Sequence, residues 1–528
     1  MDTFDFIVVG AGSAGCALAY RLSENPDTRV LLLEAGKSSH PFSPVPMGFA
    51  KLLYNPAANW CYEAQPEASL AERVIPVPRG RLLGGSSAIN GLVFVRGQAL
   101  DYDTWAQLGN RGWSYDDVLP VFRRMEHYEN GTDELRAQGG PLRVREVPDE
   151  NPLYDALFAA GEEMGLPKNP DYNGADQEGM CKTQTTISNG RRMSTAHCYL
   201  RPARRRDNLV VATEALTERL VLDGKRCVGV RYAQGSRTVE ARANREVILS
   251  AGSINSPQLL ELSGIGQGER LREHGIDVVH DLSGVGENLR DHLSPRMGWG
   301  ISKRGVAYND RARGLGLAWQ LARYAVTREG FLSLPSAPIL AFVKTREGLS
   351  TPDVQIHFMP YTYSSTLKLH KKPGMTVVLY QMRPESLGSI HIQDADPKTP
   401  PAINFNFLDN ELDRQTTIDG VKWTRKIVDA SAMDHLRGAE FKPGPSVQTD
   451  DEILDYVRQT AETAYHPVGT CKMGSDPQSV VNDRLQVHGI EGLRVADASI
   501  MPTLVSGNTN AASIMIGEKC AELISQSP

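Results

Sequence analysis

The stretch Phe4-Asp5-Phe6-Ile7-Val8-Val9-Gly10-Ala11-Gly12-Ser13-Ala14-Gly15 lies at the start of the chain and decides its fold. Residues 4–9 are apolar without sustained alternation, the pattern of a strand buried on both faces. The glycines that follow have the spacing G-x-G-x-x-G. A helix predicted over 14–22 and a strand over 29–33, ending at Glu34, complete a βαβ unit. Gly10, Gly12 and Gly15 have separate tasks: a tight turn, close approach of backbone to a pyrophosphate, and helix–strand packing. Ser13 and Ala14, at the helix start, direct unpaired N–H groups at phosphates. Glu34, with Ala35 beside it, lies about 20 residues past the turn, where an acid accepts from an unphosphorylated ribose diol.

Working outward, a second glycine-rich segment runs Gly80-Arg81-Leu82-Leu83-Gly84-Gly85-Ser86-Ser87-Ala88-Ile89-Asn90. It offers pliant backbone where a bulky planar group could lie close. One small nucleotide does not need both segments. Together they point to a long cofactor of the FAD type, and so to redox chemistry. Near the other end, residues 492–497 read as a strand ending in Asp497, followed by a helix over 509–524. Asp497 reads either as an acceptor for ribityl hydroxyls or as a plain helix cap.

The whole chain fits such an enzyme. Its 528 residues are too many for one simple core, and 41% hydrophobic with 23% charged residues is an ordinary globular composition. A net charge of −6 argues against a nucleic-acid partner. Seven scattered cysteines form no C-x-x-C, so neither a metal site nor a dithiol is signalled, and reduced thiols in a cytoplasmic protein are expected. Asp2 and Asp5 occupy the place where a secretory leader is basic, so no leader is expected. No apolar run reaches the roughly 18 residues of a membrane span. The fairly apolar stretch 314–343 reads as a core helix and loop, with contact at the cytoplasmic membrane face as the other reading.

Residues 209–222 and 227–232 read as strands joined at Asp223-Gly224, and 246–249 as a buried strand returning to the nucleotide sheet. From 295 to 460 strand-like pieces alternate with turns, without a phosphate loop. The fold class is therefore mixed α/β. A Rossmann-like FAD-binding domain is expected from 1–150, 203–295 and 462–528. A discontinuous antiparallel-sheet substrate domain is expected from 151–202 and 296–461.

Five longer motifs extend this. They are the segment 80–103, with Phe94 and Gly97 in step; Gly252-Ser253-Ile254-Asn255-Ser256-Pro257 running on to Gly266; 285–292, ending Asp291-His292; His466-Pro467-Val468-Gly469-Thr470; and 494–499. In this order they resemble the glucose–methanol–choline (GMC) oxidoreductases, FAD enzymes that oxidise alcohols, and within them the choline dehydrogenase and long-chain alcohol dehydrogenase branch. The resemblance implies that Gly10 to Gly15 and Glu34 hold the ADP half of FAD. It implies that Gly84, Gly85, Ser86, Asn90, Gly91 and Val93 line the flavin. Thr217 stands where relatives usually carry a valine whose backbone meets adenine. Asp497 and Ala498 would meet the ribityl or phosphate part, and Asn508 with Thr509 the flavin end.

By the same resemblance His466 is the catalytic base and Asn508 its partner, with Asn510 as a second candidate. Ile89 stands where some relatives have a histidine bonded to the flavin, so non-covalent FAD is expected. Residues 333–342 lack the acid that would face a quaternary ammonium, which lowers choline as substrate. The expected reaction takes a primary alcohol to an aldehyde: the hydroxyl proton goes to His466 and hydride goes to flavin N5. The acceptor is a quinone-type molecule or oxygen, and the oligomeric state stays open. A flavin-containing lyase on the same scaffold is the alternative. An NAD-dependent enzyme would leave 80–90 unexplained. His292 reads as structural, Trp60 with Tyr62 as pocket wall or loop anchor, and Phe358, Tyr361 and Tyr363 as candidates for the substrate mouth.

Overall fold

The structure is a computed structural model and describes residues 2–364 and 368–526. Strand Asp2–Val9 leads through the glycine turn into helix Ser13–Leu22 and strand Val30–Leu33. Phe6, Ile7, Val8 and all of 30–33 are at most 2% exposed, because the strands are parallel and covered on both faces. Truncating a side chain so buried costs about 2–5 kcal/mol.

The seven-stranded sheet has the order Leu209–Ala212, Val30–Leu33, Asp2–Val9, Arg237–Leu249, Arg226–Gln234, Ala215–Asp223. The seventh strand, Leu493–Val495, pairs in parallel with 247–249. A fork of the Arg494 guanidinium to Glu246, at 2.6 and 3.0 Å, fastens this late strand to the sheet. The strand expected at 246–249 begins at 237; its first half is polar because it lies in the hairpin with 226–234 and is half exposed.

The single strand expected over 209–222 is two strands on opposite edges of this sheet. The chain breaks at Glu214, whose φ is +54°. The N–H groups of Glu214 and Ala215 donate to the Gly36 and Glu34 carbonyls at 2.8 and 2.9 Å. The chain thus crosses the end of 30–33 instead of running on. Apolar periodicity does not register a left-handed residue.

The second sheet has six strands, all antiparallel, in the order Arg437–Lys442, Arg296–Ile301, Gly374–Gln381, Val354–Met359, Ile339–Val343, Gly179–Lys182. Val354, Ile356 and Phe358 alternate along one strand and share a core with Ile418, Val421 and Ile427 of helix Glu411–Asp429. At Gly420 a Cβ would stand 2.8 Å from Leu379 Cδ1, so glycine lets the helix seat on the sheet. Phe358 is therefore core rather than substrate mouth.

Helix Gly314–Thr327 departs from expectation. Of its residues only Gln320 and Tyr324 are buried, while Leu315, Trp319 and Val326 are 91%, 66% and 84% exposed. Its apolar residues point away from the protein. Strand Ile339–Val343, from the same stretch of sequence, is fully buried.

Candidate active site

The two glycine segments touch. The Gly84 N–H donates to the Ala11 carbonyl at 2.7 Å, and a Cβ on Gly85 would lie 2.7 Å from Gly12 Cα. A Cβ on Gly15 would lie 1.9 Å from the Gly10 carbonyl oxygen. Beside them opens a cleft. Gly10, Gly12, Ser13, Ala14, Glu34, Ala35, Gly85, Ser86, Thr217, Asp497 and Ala498 line it, together with Trp60, Arg79 and Ser253.

Glu34 accepts from the Ala11 N–H at 3.2 Å and from the Gly36 N–H at 2.8 Å. Burial pushes its carboxyl up to about 7, against those two donors and the Arg81 charge. The Thr217 hydroxyl oxygen is buried without a hydrogen-bond partner among the described residues, although it borders the cleft. An orphaned hydroxyl of this kind fits a polar ligand edge. The phosphate-facing N-terminus of helix Ser13–Leu22 carries no side-chain cap. These features fit FAD. Asp497 uses one oxygen on the Ser499 N–H (2.8 Å) and the other on the Gly252 N–H and Ser256 hydroxyl (2.9 and 2.6 Å). It caps and ties the cleft wall while lining it.

In the loop 84–93, expected to line the flavin, Gly84 has φ +93°. Ile89 is 2% exposed and offers no atom for a flavin bond. Asn90 accepts from Arg192 at 2.7 Å, and the Gly91 carbonyl accepts from the Ser336 N–H at 3.0 Å. Val93 bridges to Thr185. The Thr509 carbonyl receives Ser513, opening the helix Asn510–Ser525. Asn510 accepts from the Ser13 hydroxyl at 2.8 Å, away from the imidazoles, whereas Asn508 reaches His466.

His466 is buried, and the carbonyl of its neighbour Pro467 accepts at 2.6 Å from Ser253, which lines the cleft. Tyr465, just before it, has φ +69°, an uncommon conformation for a bulky residue. The Thr463 hydroxyl and Arg79 hold Tyr465 there, through its N–H and carbonyl, both at 2.8 Å. Asp291 accepts from the backbone N–H groups of His292 and His466 at 2.7 and 2.9 Å and from the Thr463 hydroxyl. Burial pushes Asp291 up to about 7.

Hydrogen-bond logic fixes the imidazole tautomers. His292 Nε2 lies 2.8 Å from the Met382 carbonyl, which only accepts, so Nε2 carries the proton. His292 is neutral, its pKa driven down to about 3 by burial. Its Nδ1 therefore accepts, and His466 Nδ1, 3.0 Å away, must donate. This leaves His466 Nε2 bare. Asn508 Nδ2 donates to it at 3.1 Å. Asn508 Oδ1 accepts from Gln355 at 3.3 Å, and Gln355 Oε1 from the Tyr380 hydroxyl at 2.7 Å. His357 Nε2 lies 3.3 Å from the same hydroxyl and serves as its donor. The chain His357, Tyr380, Gln355, Asn508, His466, His292, Met382 carbonyl thus runs in one direction with every donor matched. Burial, then His292, His357 and Arg79, hold His466 well below the usual histidine range, so it is neutral. Gly507, at φ +134°, lets this loop pass close: a Cβ there would lie 2.5 Å from Val95.

Gln355, His357, Tyr380 and Arg79 were not singled out from sequence, and His292 read as structural. The signal was present in Val354-Gln355-Ile356-His357-Phe358, where alternation puts two polar side chains on the face away from the helix. Trp60 lines the cofactor cleft, stacked 5.6 Å from Tyr62, and stands outside the imidazole chain.

A dinucleotide cleft together with a buried, neutral imidazole pair is the make-up of an FAD-dependent oxidoreductase. The GMC oxidoreductase N-terminal profile matches residues 4–294 and the C-terminal profile 384–517. The oxygen-dependent choline dehydrogenase of Brucella suis biovar 1 is 43% identical over 98% of this chain and 95% of its own length. That of Photobacterium profundum is 42% identical over 99% and 93%. The pyridoxine 4-oxidase structure from Mesorbium loti has a TM-score of 0.90 at 29% identity, covering 99% of this chain and 100% of its own. A formate oxidase variant of Aspergillus oryzae RIB40 has 0.93 at 28%, over 99% and 98%. The chain belongs to the GMC oxidoreductase family, binds FAD and acts on a CH–OH donor.

Proposed function

We propose that this enzyme oxidises a primary alcohol to its aldehyde with non-covalent FAD, using His466 as base and Asn508 as its partner. Residues 1–150, 203–295 and 462–528 would hold the cofactor, and 151–202 with 296–461 would cover it. FAD supplies the two-electron acceptor, taking hydride at its flavin N5.

The observation that carries this is the one-way donor chain that runs through His466 to the Met382 carbonyl and leaves His466 Nε2 without a proton. An alcohol oxygen that displaces the Asn508 Nδ2 donor from Nε2 gives its proton to Nε2 and accepts from Asn508 Nδ2. His466 then bears the proton on Nε2 while its Nδ1–H stays bonded to His292 Nδ1. Positive charge develops on His466 as negative charge develops on the alcohol oxygen, and Asn508 steadies that oxygen without competing for the proton. A base so held contributes about 10²–10⁴-fold. Electrons pass on to oxygen or a quinone-type molecule; the names of the 42–43% identical relatives favour oxygen.

Neutral aliphatic or aromatic alcohols are the proposed substrates. His466, Asn508, Gln355, Tyr380 and His357 present no carboxylate, and the oxygens of nearby Asp291 are taken by two N–H groups and a hydroxyl. Choline is a second reading, supported by those same relatives. An anaerobic panel of primary alcohols, choline and secondary alcohols decides. Neutral primary alcohols should bleach the bound flavin faster than choline does. If no alcohol bleaches it, the redox reading fails in favour of a lyase.

A further inference from the structure

We infer that helix Gly314–Thr327 is a docking face for a bilayer surface rich in anionic lipid. It stands apart from the catalytic proposal and is tested without any alcohol.

The helix is inverted. Its two buried side chains are polar, and both are engaged: Gln320 Oε1 accepts from the Phe331 N–H at 3.2 Å, and the Tyr324 hydroxyl donates to the Gly190 carbonyl at 2.8 Å. Leu315, Trp319, Ala322 and Val326 recur at helical spacing and share the opposite face. Of the fourteen large apolar side chains exposed among the described residues, five belong to this one helix. Scattered exposed leucines need no explanation, but a stripe of this kind does.

Charge selects the occupant. Arg311 and Arg313 precede the stripe, and Arg323 and Arg328 mark its far end. Bonds from Asn309 to the His370 carbonyl (3.0 Å) and from Arg313 to the Leu369 carbonyl (3.2 Å) draw Lys368, Lys371 and Lys372 to the helix start. These seven exposed cations face two acids. Asp310 is bonded to the Gly305 N–H, and Glu329 is paired with Arg323 at 3.1 Å. The face is basic in a chain whose net charge is −6. Apolar stripe and basic flanks together are the form of a helix lying in the plane of a membrane interface. Among the described residues no helix is long and apolar enough to cross a membrane, so the contact is in-plane. A second copy is disfavoured, because a two-fold pairing would set the same cations opposite one another. The segment runs on to Ser336, whose N–H and hydroxyl both donate to the Gly91 carbonyl.

The test sediments the full-length, FAD-loaded protein with phosphatidylcholine vesicles containing phosphatidylglycerol, and with phosphatidylcholine alone. Binding to the mixed vesicles, weak on phosphatidylcholine and weakened by salt, is expected. Leu315→Ser/Trp319→Ser/Val326→Ser should lower partitioning at least about tenfold with flavin absorbance unchanged. Lys371→Gln and Lys372→Gln should each weaken it by about fivefold. The inference is overturned if the protein ignores both vesicle types. It is also overturned if sedimentation velocity finds a dimer that the triple variant converts to monomer, which assigns the face to a second copy.

Discussion

The cofactor cleft and the imidazole chain are built on different rules. The cleft is made by backbone. Gly84 donates to Ala11, Gly85 lies against Gly12, and Gly15 packs on Gly10 at distances no side chain tolerates. Residue identity there follows from steric exclusion, so it is written locally and in order. The imidazole chain is made by side chains from strands 354–359 and 374–381 and from loops near 292, 466 and 508, which meet only in three dimensions. No single segment announces it. A cleft built this way should fail abruptly when one atom is added, and a hydrogen-bond chain should fail by degrees.

The largest effect expected is on the cleft. Gly85→Val combines a left-handed φ of +50° with a Cβ 2.7 Å from Gly12 Cα. Strain of about 1–2 kcal/mol and overpacking of about 1–3 kcal/mol add at the cofactor surface. The purified variant should be colourless, with far-UV circular dichroism near that of the parent; a yellow variant would break the contrast.

A smaller effect is expected at His292, a positioning residue. His292→Leu removes the acceptor that fixes Nδ1–H on His466, and flavin reduction should slow by about 10–100-fold, the usual cost of losing an orienting partner. The pH profile separates this from a loss of folding. Because the folded protein holds His466 below the usual histidine range, the base stays unprotonated as pH falls through about 6.5. The acidic limb of the parent should therefore lie below that pH. His292 is among the groups that set the His466 pKa, so in the variant the limb should shift. An equal loss at every pH would reduce His292 to packing.

The same contrast explains what could be read from the sequence. The roles of Gly10 to Gly15 and Glu34 follow from spacing, that of 84–93 from the family resemblance, and Leu493–Val495 was legible within 492–497 as a strand ending in an acid. The relay was not, because Gln355 and His357 look like polar interruptions of a strand until the sheet shows which face they share. The break at Glu214 is a single left-handed residue in an otherwise β-like run. The helix 314–327 misled for a third reason: composition reports how apolar a segment is, not which way its stripe points.

The account rests on a neutral imidazole whose Nε2 takes the alcohol proton. The direct measurement is the anaerobic rate of flavin bleaching by a primary alcohol in His466→Ala beside the parent, at equal FAD content. A fall of about 10²–10⁴-fold with FAD retained is the predicted result. A variant that bleaches within a few-fold of the parent would contradict it.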